Sequence, residues 1–149
     1  LTLYIMTPVI DEINETAYQP YVREEITQRE AWTLAQTPLK EFMLRNTEEE
    51  TLNLFMDMAN EEAVENAVDL PLTVVIPSFM TTELKRAFTA GFLLYIPFLL
   101  IDIIVSSTLM SMGMMMLPPA MISLPFKLLL FVTVDGWQLL FSSIVTGFK

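Results

Sequence analysis

The most distinctive chemical groups in this sequence are thioethers gathered in one short segment. Half of the twelve residues Met110–Met121 are methionine, whereas the whole chain of 149 residues holds 11. Methionine is flexible and polarizable, so it fills irregular gaps and re-packs around variable surfaces. Three consecutive methionines point in three directions on a helix and cannot all serve one buried face. Either the segment is core filler at a helix end, or copies of it form a soft apolar collar in a shared central space.

The second group of residues that could do chemistry is a set of charged side chains in an otherwise apolar region. Lys127 and Asp135 are eight residues apart, which is about 80° and about 12 Å on a helix, so they do not pair directly. If a helical hairpin turns near Met116, Lys127 lies level with about residue 105, within about one helical turn of Asp102. An Asp102–Lys127 pair is one expectation. The alternative is that the helices lie partly in a protein assembly, where each charge finds its own partner.

Covalent catalysis is disfavoured by what the composition lacks. The chain has neither cysteine nor histidine, so a disulfide framework, a zinc-thiolate site and the commonest general base are excluded. The acidic residues fall in helix first turns and connectors, without a paired carboxylate in an apolar setting. We therefore expect no enzyme activity, no metal and no cofactor. Nucleic-acid binding is also disfavoured, since there is no basic stripe to neutralise phosphates.

Charge divides the chain into two contrasting parts. Residues 1–86 hold 16 of the 18 acidic and 6 of the 8 basic side chains, which accounts for the whole net charge of −10. Residues 87–149 are neutral and strongly apolar. The asymmetry predicts a water-exposed acidic domain followed by a membrane-type segment.

This pattern predicts an all-α, membrane-type protein in three parts. Residues 1–10 are expected to be the end of an N-terminal apolar helix whose beginning is missing, so that the chain is a fragment or a processed form. Residues 11–76 are expected to form an acidic helical domain outside the membrane. Residues 77–149 are expected to form a long apolar helical hairpin with a methionine-rich tip.

Local signals place the helices of the acidic domain. Thr27 and Glu30 have the spacing of a capping box, and Thr47 with Glu50 repeats it. Thr37-Pro38 predicts a helix restarting at a proline in its first turn, and Pro77 predicts another. A helix end with a turn is expected near Pro20.

Two apolar runs are long enough to span a bilayer, which takes about 20 residues. They cover residues 87–107 and 121–145, and the residues that break the chain between them are Gly113, Pro118 and Pro119. Internal prolines at 97 and 125 suggest kinks, which apolar helices tolerate.

Several long segments resemble the FliP family of flagellar type III export-gate proteins. They include "MTPVIDEI", "AYQPY", "PLKEFMLRNT" and the run from Leu70 to Leu140 that contains "SMGMMMLPPAMISLPFKLLLF". The injectisome counterpart, SctR, is similar across the same span, although the upstream segments favour the flagellar branch.

The resemblance implies a homo-pentamer that assembles with FliQ and FliR into a secretion pore in the flagellar basal body. It implies an inner-membrane location, with the acidic domain on the periplasmic side. Met114, Met115 and Met116 are similar to a gasket that seals around unfolded export substrates. Glu83 and Lys127 match positions of an ion pair that stabilises the assembly, and the matching positions at subunit contacts are Phe42 and Phe55. Ordinary core packing is the alternative for both phenylalanines.

Two other transport functions remain open. One is an injectisome paralogue of the export gate. The other is an ion-channel subunit, which would require rings of charge or ordered carbonyls at the constriction, whereas thioethers would line this one.

Overall fold

The computed structural model describes residues 1–61, 64, 66–114 and 117–148, and these residues form helices without any strand. The all-α, membrane-type fold predicted from the sequence is confirmed. The helices are, in order, α1 (Thr2–Ile13), α2 (Gln19–Val22), α3 (Gln28–Arg45), α4 (Glu49–Ala59), α5 (Leu72–Ser111), α6 (Pro119–Thr133) and α7 (Gly136–Gly147). A π-helical turn (Asn14–Tyr18) joins α1 to α2, and a 3₁₀ turn (Ala67–Asp69) precedes α5.

The described chain divides into two compact units. The first contains Leu1–Lys85 together with the C-terminal segment from Val145, and the second contains Arg86–Ile144. Helix α5 contributes residues to both. At a rise of about 1.5 Å per residue its 40 residues extend about 60 Å.

The first unit has a small core with polar groups that are satisfied locally. Its fully buried apolar side chains include Leu70, Val74 and Val75. Buried Ser78 donates a hydrogen bond to the Val74 carbonyl at 2.6 Å, and buried Asn46 donates to the Phe42 carbonyl at 2.8 Å. The Phe42 ring near the end of α3 packs against the Phe79 ring in the first part of α5, so the core brings these two segments together.

The capping box that the sequence predicts at the start of α3 is present. The Thr27 amide donates to Glu30 Oε2 at 2.8 Å, and the Glu30 amide donates to Thr27 Oγ1 at 3.4 Å. The backbone and side-chain hydrogen bonds from Thr27 lower the pKa of Glu30 below its usual value.

Two helix starts predicted in this unit are wrong. Helix α3 does not restart at Thr37-Pro38 but runs unbroken through Pro38, which is buried inside it. Thr47 does not cap α4: its hydroxyl donates to the Met43 carbonyl at 2.7 Å, and Glu48 is the residue at the N-cap. The Glu48 amide donates to Thr82 Oγ1 at 3.2 Å, so the residue at the start of α4 makes a tertiary contact with α5.

Two further boundaries differ from those expected near prolines. The first helical segment continues past Pro20 to Val22, after widening into the π-helical turn. Proline lacks an N–H and its ring excludes the carbonyl four residues earlier, so a wider turn accommodates it. Helix α5 begins at Leu72 rather than Pro77, because the segment "LTVVI" packs its valines into the core.

The second unit contains most of the apolar hairpin expected over residues 77–149, in which α5 leads to the tip and α6 and α7 return. Helix α5 is long and apolar enough to cross a membrane, and α6 with α7 would qualify as a second, broken span. The single helix expected over residues 121–145 is wrong, because the chain bends by 58° between α6 and α7. Asp135 at this break has a left-handed backbone, with φ of 52°.

A close contact accompanies the break. A Cβ atom placed on Gly136 would lie 2.3 Å from the Phe131 ring. The same ring packs edge-on against Trp137, with centroids 5.3 Å apart. Glycine therefore permits the approach of the backbone to an aromatic side chain at the bend.

Candidate functional site

The tip of the hairpin is shaped by backbone hydrogen bonds at the end of α5. The Gly113 amide donates to the Met110 carbonyl and the Met114 amide to the Leu109 carbonyl, both at 3.0 Å. These two bonds form a Schellman motif, in which a left-handed residue ends the helix. Gly113 supplies that residue, with φ of 73°. On the return side, Pro118 is extended and Pro119 begins α6.

The methionines at this tip expose their side chains to the surroundings. Four of the six lie among the described residues, with exposed fractions of 64% for Met110, 57% for Met112, 48% for Met114 and 74% for Met121. Met115 and Met116, the other two members of the expected gasket tripeptide, lie outside the described residues. For Met114 at least, the side chain is not sealed in the core of its own chain, as it would be if it were core filler.

An ion pair links the two arms of the hairpin. Lys127 Nζ on α6 lies 2.7 Å from Asp102 Oδ2 on α5, and Ser123 Oγ donates to Asp102 Oδ1 at 2.6 Å. The structure thus brings together the two residues that hairpin geometry would pair. Ser123 is fully buried, while the Lys127 and Asp102 side chains are 25% and 30% exposed. The carboxylate accepts one bond on each oxygen, which fixes the register of α5 against α6.

An apolar groove runs beside this pair towards the tip. It has a volume of about 410 Å³. Its walls come from both arms of the hairpin and are lined by Ile101, Ile104, Val105, Thr108, Leu109, Met112, Ile122 and Phe126. Periodicity of the two apolar runs gave no sign of this groove, because both helices are apolar on all sides.

The other residues singled out in the sequence lie in the first unit. Glu83 is on the first part of α5, whereas Lys127 belongs to the second unit; their inferred pairing at an assembly contact stays a prediction. An ion pair that sequence reasoning missed lies close by, with Lys85 Nζ 2.6 Å from Glu48 Oε2. Its residues are 37 positions apart in sequence, so no local spacing could indicate it.

The two phenylalanines inferred at subunit contacts differ in their surroundings. Phe42 is only 7% exposed. It packs edge-on against Phe79 at 5.9 Å and stacks on Phe148 at 6.0 Å, measured between ring centroids. Phe55, on α4, is half-buried. Within its own chain, Phe42 is therefore a core residue, whereas Phe55 retains a partly accessible ring.

The described part of the chain contains no cluster of side chains that could bind a metal ion. No group of three or more acidic side chains there is placed to hold a metal ion. The charged groups that the structure does bring together form pairs, as at Asp102 and Lys127.

Comparison with known proteins identifies what this arrangement is similar to. The profile of the FliP family matches residues 1–144. The chain is 52% identical to the flagellar biosynthetic protein FliP of Bacillus subtilis over 99% of its own length and 67% of the relative's. It is 49% identical to the FliP of Aquifex aeolicus, covering 63% of that protein, and 47% identical to the FliP of Buchnera aphidicola from Acyrthosiphon pisum, covering 39%. The chain thus spans between about two fifths and two thirds of the length of these three relatives.

Proposed function

Because the chain belongs to the FliP family, we propose that it is a subunit of the flagellar type III protein export gate. In this proposal several copies form a secretion pore, and the methionine-rich tip is the gasket that closes around unfolded export substrates. The observation that carries the proposal is the exposure of methionine side chains at the hairpin tip, where Met114 is about half exposed. A Schellman motif ends α5 at this tip.

The physical basis is the character of a thioether surface. Each methionine that becomes buried contributes about 1.5–3 kcal/mol. Methionine also re-packs at little cost, because it is unbranched and has three rotatable bonds. A collar of such side chains can close on itself and then open around an extended polypeptide of any sequence. It would select substrates by thickness rather than by sequence motif.

The hairpin would give this collar a firm support. The Asp102–Lys127 pair and Ser123 hold the two arms in register, and the backbone bonds of Gly113 and Met114 fix where the chain turns. A flexible apolar surface is thereby carried on a defined backbone. That combination suits a gate which must yield to its cargo and then return to the same closed position.

The assembly we propose is a homo-pentamer with the export-gate proteins FliQ and FliR. It would lie in the bacterial inner membrane at the flagellar basal body, with the acidic domain of residues 11–76 on the periplasmic side. The hairpin of residues 77–149 leaves many large apolar side chains exposed, such as Phe88 at 77% and Val132 at 75%. Side chains of this kind require lipid or protein partners. In the assembly, Glu83 and Phe55 would lie at contacts between subunits. We assign the chain a transport role and no catalysed reaction.

A gasket predicts a specific phenotype for loss of the thioethers. Replacing Met114, Met115 and Met116 together with Ala should let small solutes leak through the membrane while flagellar substrates are still secreted. The leak is measured as solute influx into cells, and secretion as substrate in the medium. Met58→Ala is the matched control, because Met58 is 68% exposed but belongs to α4 of the first unit rather than to the tip.

Two results would count against the proposal. A triple variant that merely fails to assemble, without any leak at matched levels of assembled complex, would identify the tip as ordinary packing. Purification of the detergent-solubilised protein without FliQ and FliR, or with a copy number other than five, would contradict the proposed assembly.

A further inference from the structure

The chain concentrates its oxidisable sulfur at one place. It has no cysteine, so its sulfur is entirely in 11 methionines. We call the four described methionines of the hairpin tip, Met110, Met112, Met114 and Met121, the tip methionines. Each is between 48% and 74% exposed. In the first unit, Met43 and Met56 are half-buried, whereas Met58 and Met80 are 68% and 52% exposed.

We propose that the tip methionines are a reversible oxidation site, through which a two-electron oxidant such as hypochlorous acid weakens the apolar seal. Both the effect on the seal and the access of oxidant in the assembly rest on the proposed function. In the single chain these side chains are at least about half exposed, and in the proposed collar they line the passage that opens for substrate, where a small oxidant can reach the sulfur lone pair.

The net reaction at each side chain balances without a further reactant. An oxygen atom passes from hypochlorous acid to Sδ, a sulfur–oxygen bond forms, the oxygen–chlorine bond breaks, and chloride and a proton are released. Sulfur loses two electrons and chlorine gains them. A methionine sulfoxide reductase reverses the change with a dithiol, which becomes a disulfide while the oxygen leaves as water.

The backbone at the tip is arranged so that oxidation would change the surface and leave the turn in place. The Schellman motif uses the amides of Gly113 and Met114 and the carbonyls of Leu109 and Met110. No methionine sulfur takes part in it. A sulfoxide replaces a flexible apolar group with a polar, chiral one. The hairpin would therefore keep its shape while the collar admits water.

Met112 has an additional role in this inference, because its side chain lines the apolar groove between the two arms. A sulfoxide oxygen there would face the apolar walls of the groove, beside residues such as Leu109 and Phe126, unless the side chain turned outwards. The first response places a polar oxygen inside an apolar groove, and the second removes the Met112 side chain from the groove. Oxidation at a single residue can thus disturb both the groove and the tip.

The first experiment maps the modification on the assembled complex in membranes. Limiting hypochlorous acid is added, and each methionine is scored by peptide mass spectrometry for gain of one oxygen atom. We expect the tip methionines to oxidise about threefold or more faster than Met43 and Met56, as their exposure dictates. Exposed Met58 serves as the reference for an accessible side chain. Tip methionines that stay reduced while Met58 is oxidised would overturn the inference.

The second experiment tests the consequence for the seal. Each protein is compared with its own untreated level of solute leak, so that differences in basal closure do not matter. Oxidant should raise the leak of the unaltered protein several-fold, and reductase with dithiol should restore it. A variant with Leu at all six methionine positions between 110 and 121 should not respond. The matched control, with Leu at Met58 and Met80, should respond as the unaltered protein does.

The outcomes separate this inference from the proposed function. If the triple Ala variant leaks but mapped oxidation of the tip changes nothing, the oxidation switch is wrong and the gasket stands. If neither the Ala variant nor the oxidised protein leaks, the gasket is wrong, and the switch is wrong with it. If the all-Leu variant responds to oxidant like the unaltered protein, the sensitive groups lie elsewhere and the switch is wrong.

Discussion

The ion pair between the two arms of the hairpin allows a quantitative test of how the tip is supported. The perturbation is removal of one charge at a time, by Asp102→Asn or Lys127→Met, and of both together. Asp102 accepts from Lys127 at 2.7 Å and from Ser123 at 2.6 Å. When Lys127 is replaced, the Asp102 carboxylate keeps the Ser123 donor and loses the lysine donor. Loss of the carboxylate charge leaves the lysine facing a weaker, neutral acceptor.

The expected magnitude follows from the burial of the pair. Removing one partner of a fully buried ion pair costs about 3–5 kcal/mol, whereas an exposed pair is worth about 0–1 kcal/mol. The Lys127 and Asp102 side chains are 25% and 30% exposed, so each single variant should lose about 2 kcal/mol of unfolding free energy. This corresponds to a change of about 30-fold in the unfolding equilibrium constant.

The double variant distinguishes an interaction from two separate losses. With both charges absent, neither is left without its partner, and the amide oxygen introduced by Asp102→Asn can still accept from Ser123. The double variant should therefore lose less than the sum of the single variants, with a coupling energy of about 1–2 kcal/mol. Asp135→Asn is the matched control. It removes an exposed charge from the same hairpin while keeping a residue that tolerates the left-handed backbone, and it should change stability by less than about 0.5 kcal/mol.

The assay is equilibrium unfolding of the full chain in mild detergent, followed by far-ultraviolet circular dichroism as the fraction of a denaturing detergent rises. Hydrogen exchange of the amides at Met110–Met114 adds a local readout, because a hairpin with slipped register should protect the tip less. Strict additivity of the two single losses would refute the reasoning. So would an Asp135→Asn variant as unstable as Asp102→Asn, since the cost would then not come from the pair.

The remaining predictions concern local features. Because the capping bonds lower the pKa of Glu30 below its usual value, Glu30→Gln should reduce the melting temperature at neutral pH. That difference should vanish as the pH falls through the folded-state pKa; a difference that persists in acid would contradict the charged cap. Gly113→Ala should destabilise by about 1 kcal/mol through its positive φ alone, since a Cβ there meets no atom within 4 Å. Gly91→Ala, in open space within α5, should instead stabilise by about 0.5–1 kcal/mol, and detergent unfolding of both variants tests the pair. Phe42→Ala should lower the free energy of unfolding of the monomer by about 3–5 kcal/mol. If the variant monomer is as stable as the unaltered one but assembles poorly, Phe42 acts at subunit contacts and not in the core.

Much of the fold can be predicted from the sequence, because it depends on local patterns or on the regular spacing of residues in helices. The charge asymmetry separates an acidic from an apolar part, and the helical class follows from the apolar runs and their breaks. The capping box of Thr27 and Glu30 involves residues in a single helical turn, so its spacing is enough to predict it. The approach of Lys127 to Asp102 is similar in kind, because an antiparallel hairpin turns a sequence separation into a spatial register.

Tertiary structure decided the features that depend on partners distant in sequence. The Glu48 amide at the start of α4 donates to Thr82, 34 residues away, a partner that no local spacing indicates. The ring of Phe42 is buried by Phe79 and Phe148, which come from other parts of the chain. The exposure of the tip methionines is likewise a property of how the two arms pack. The sequence shows which side chains are flexible and polarizable. Only the folded chain determines which of them are exposed, since the burial of a side chain depends on all of its neighbours.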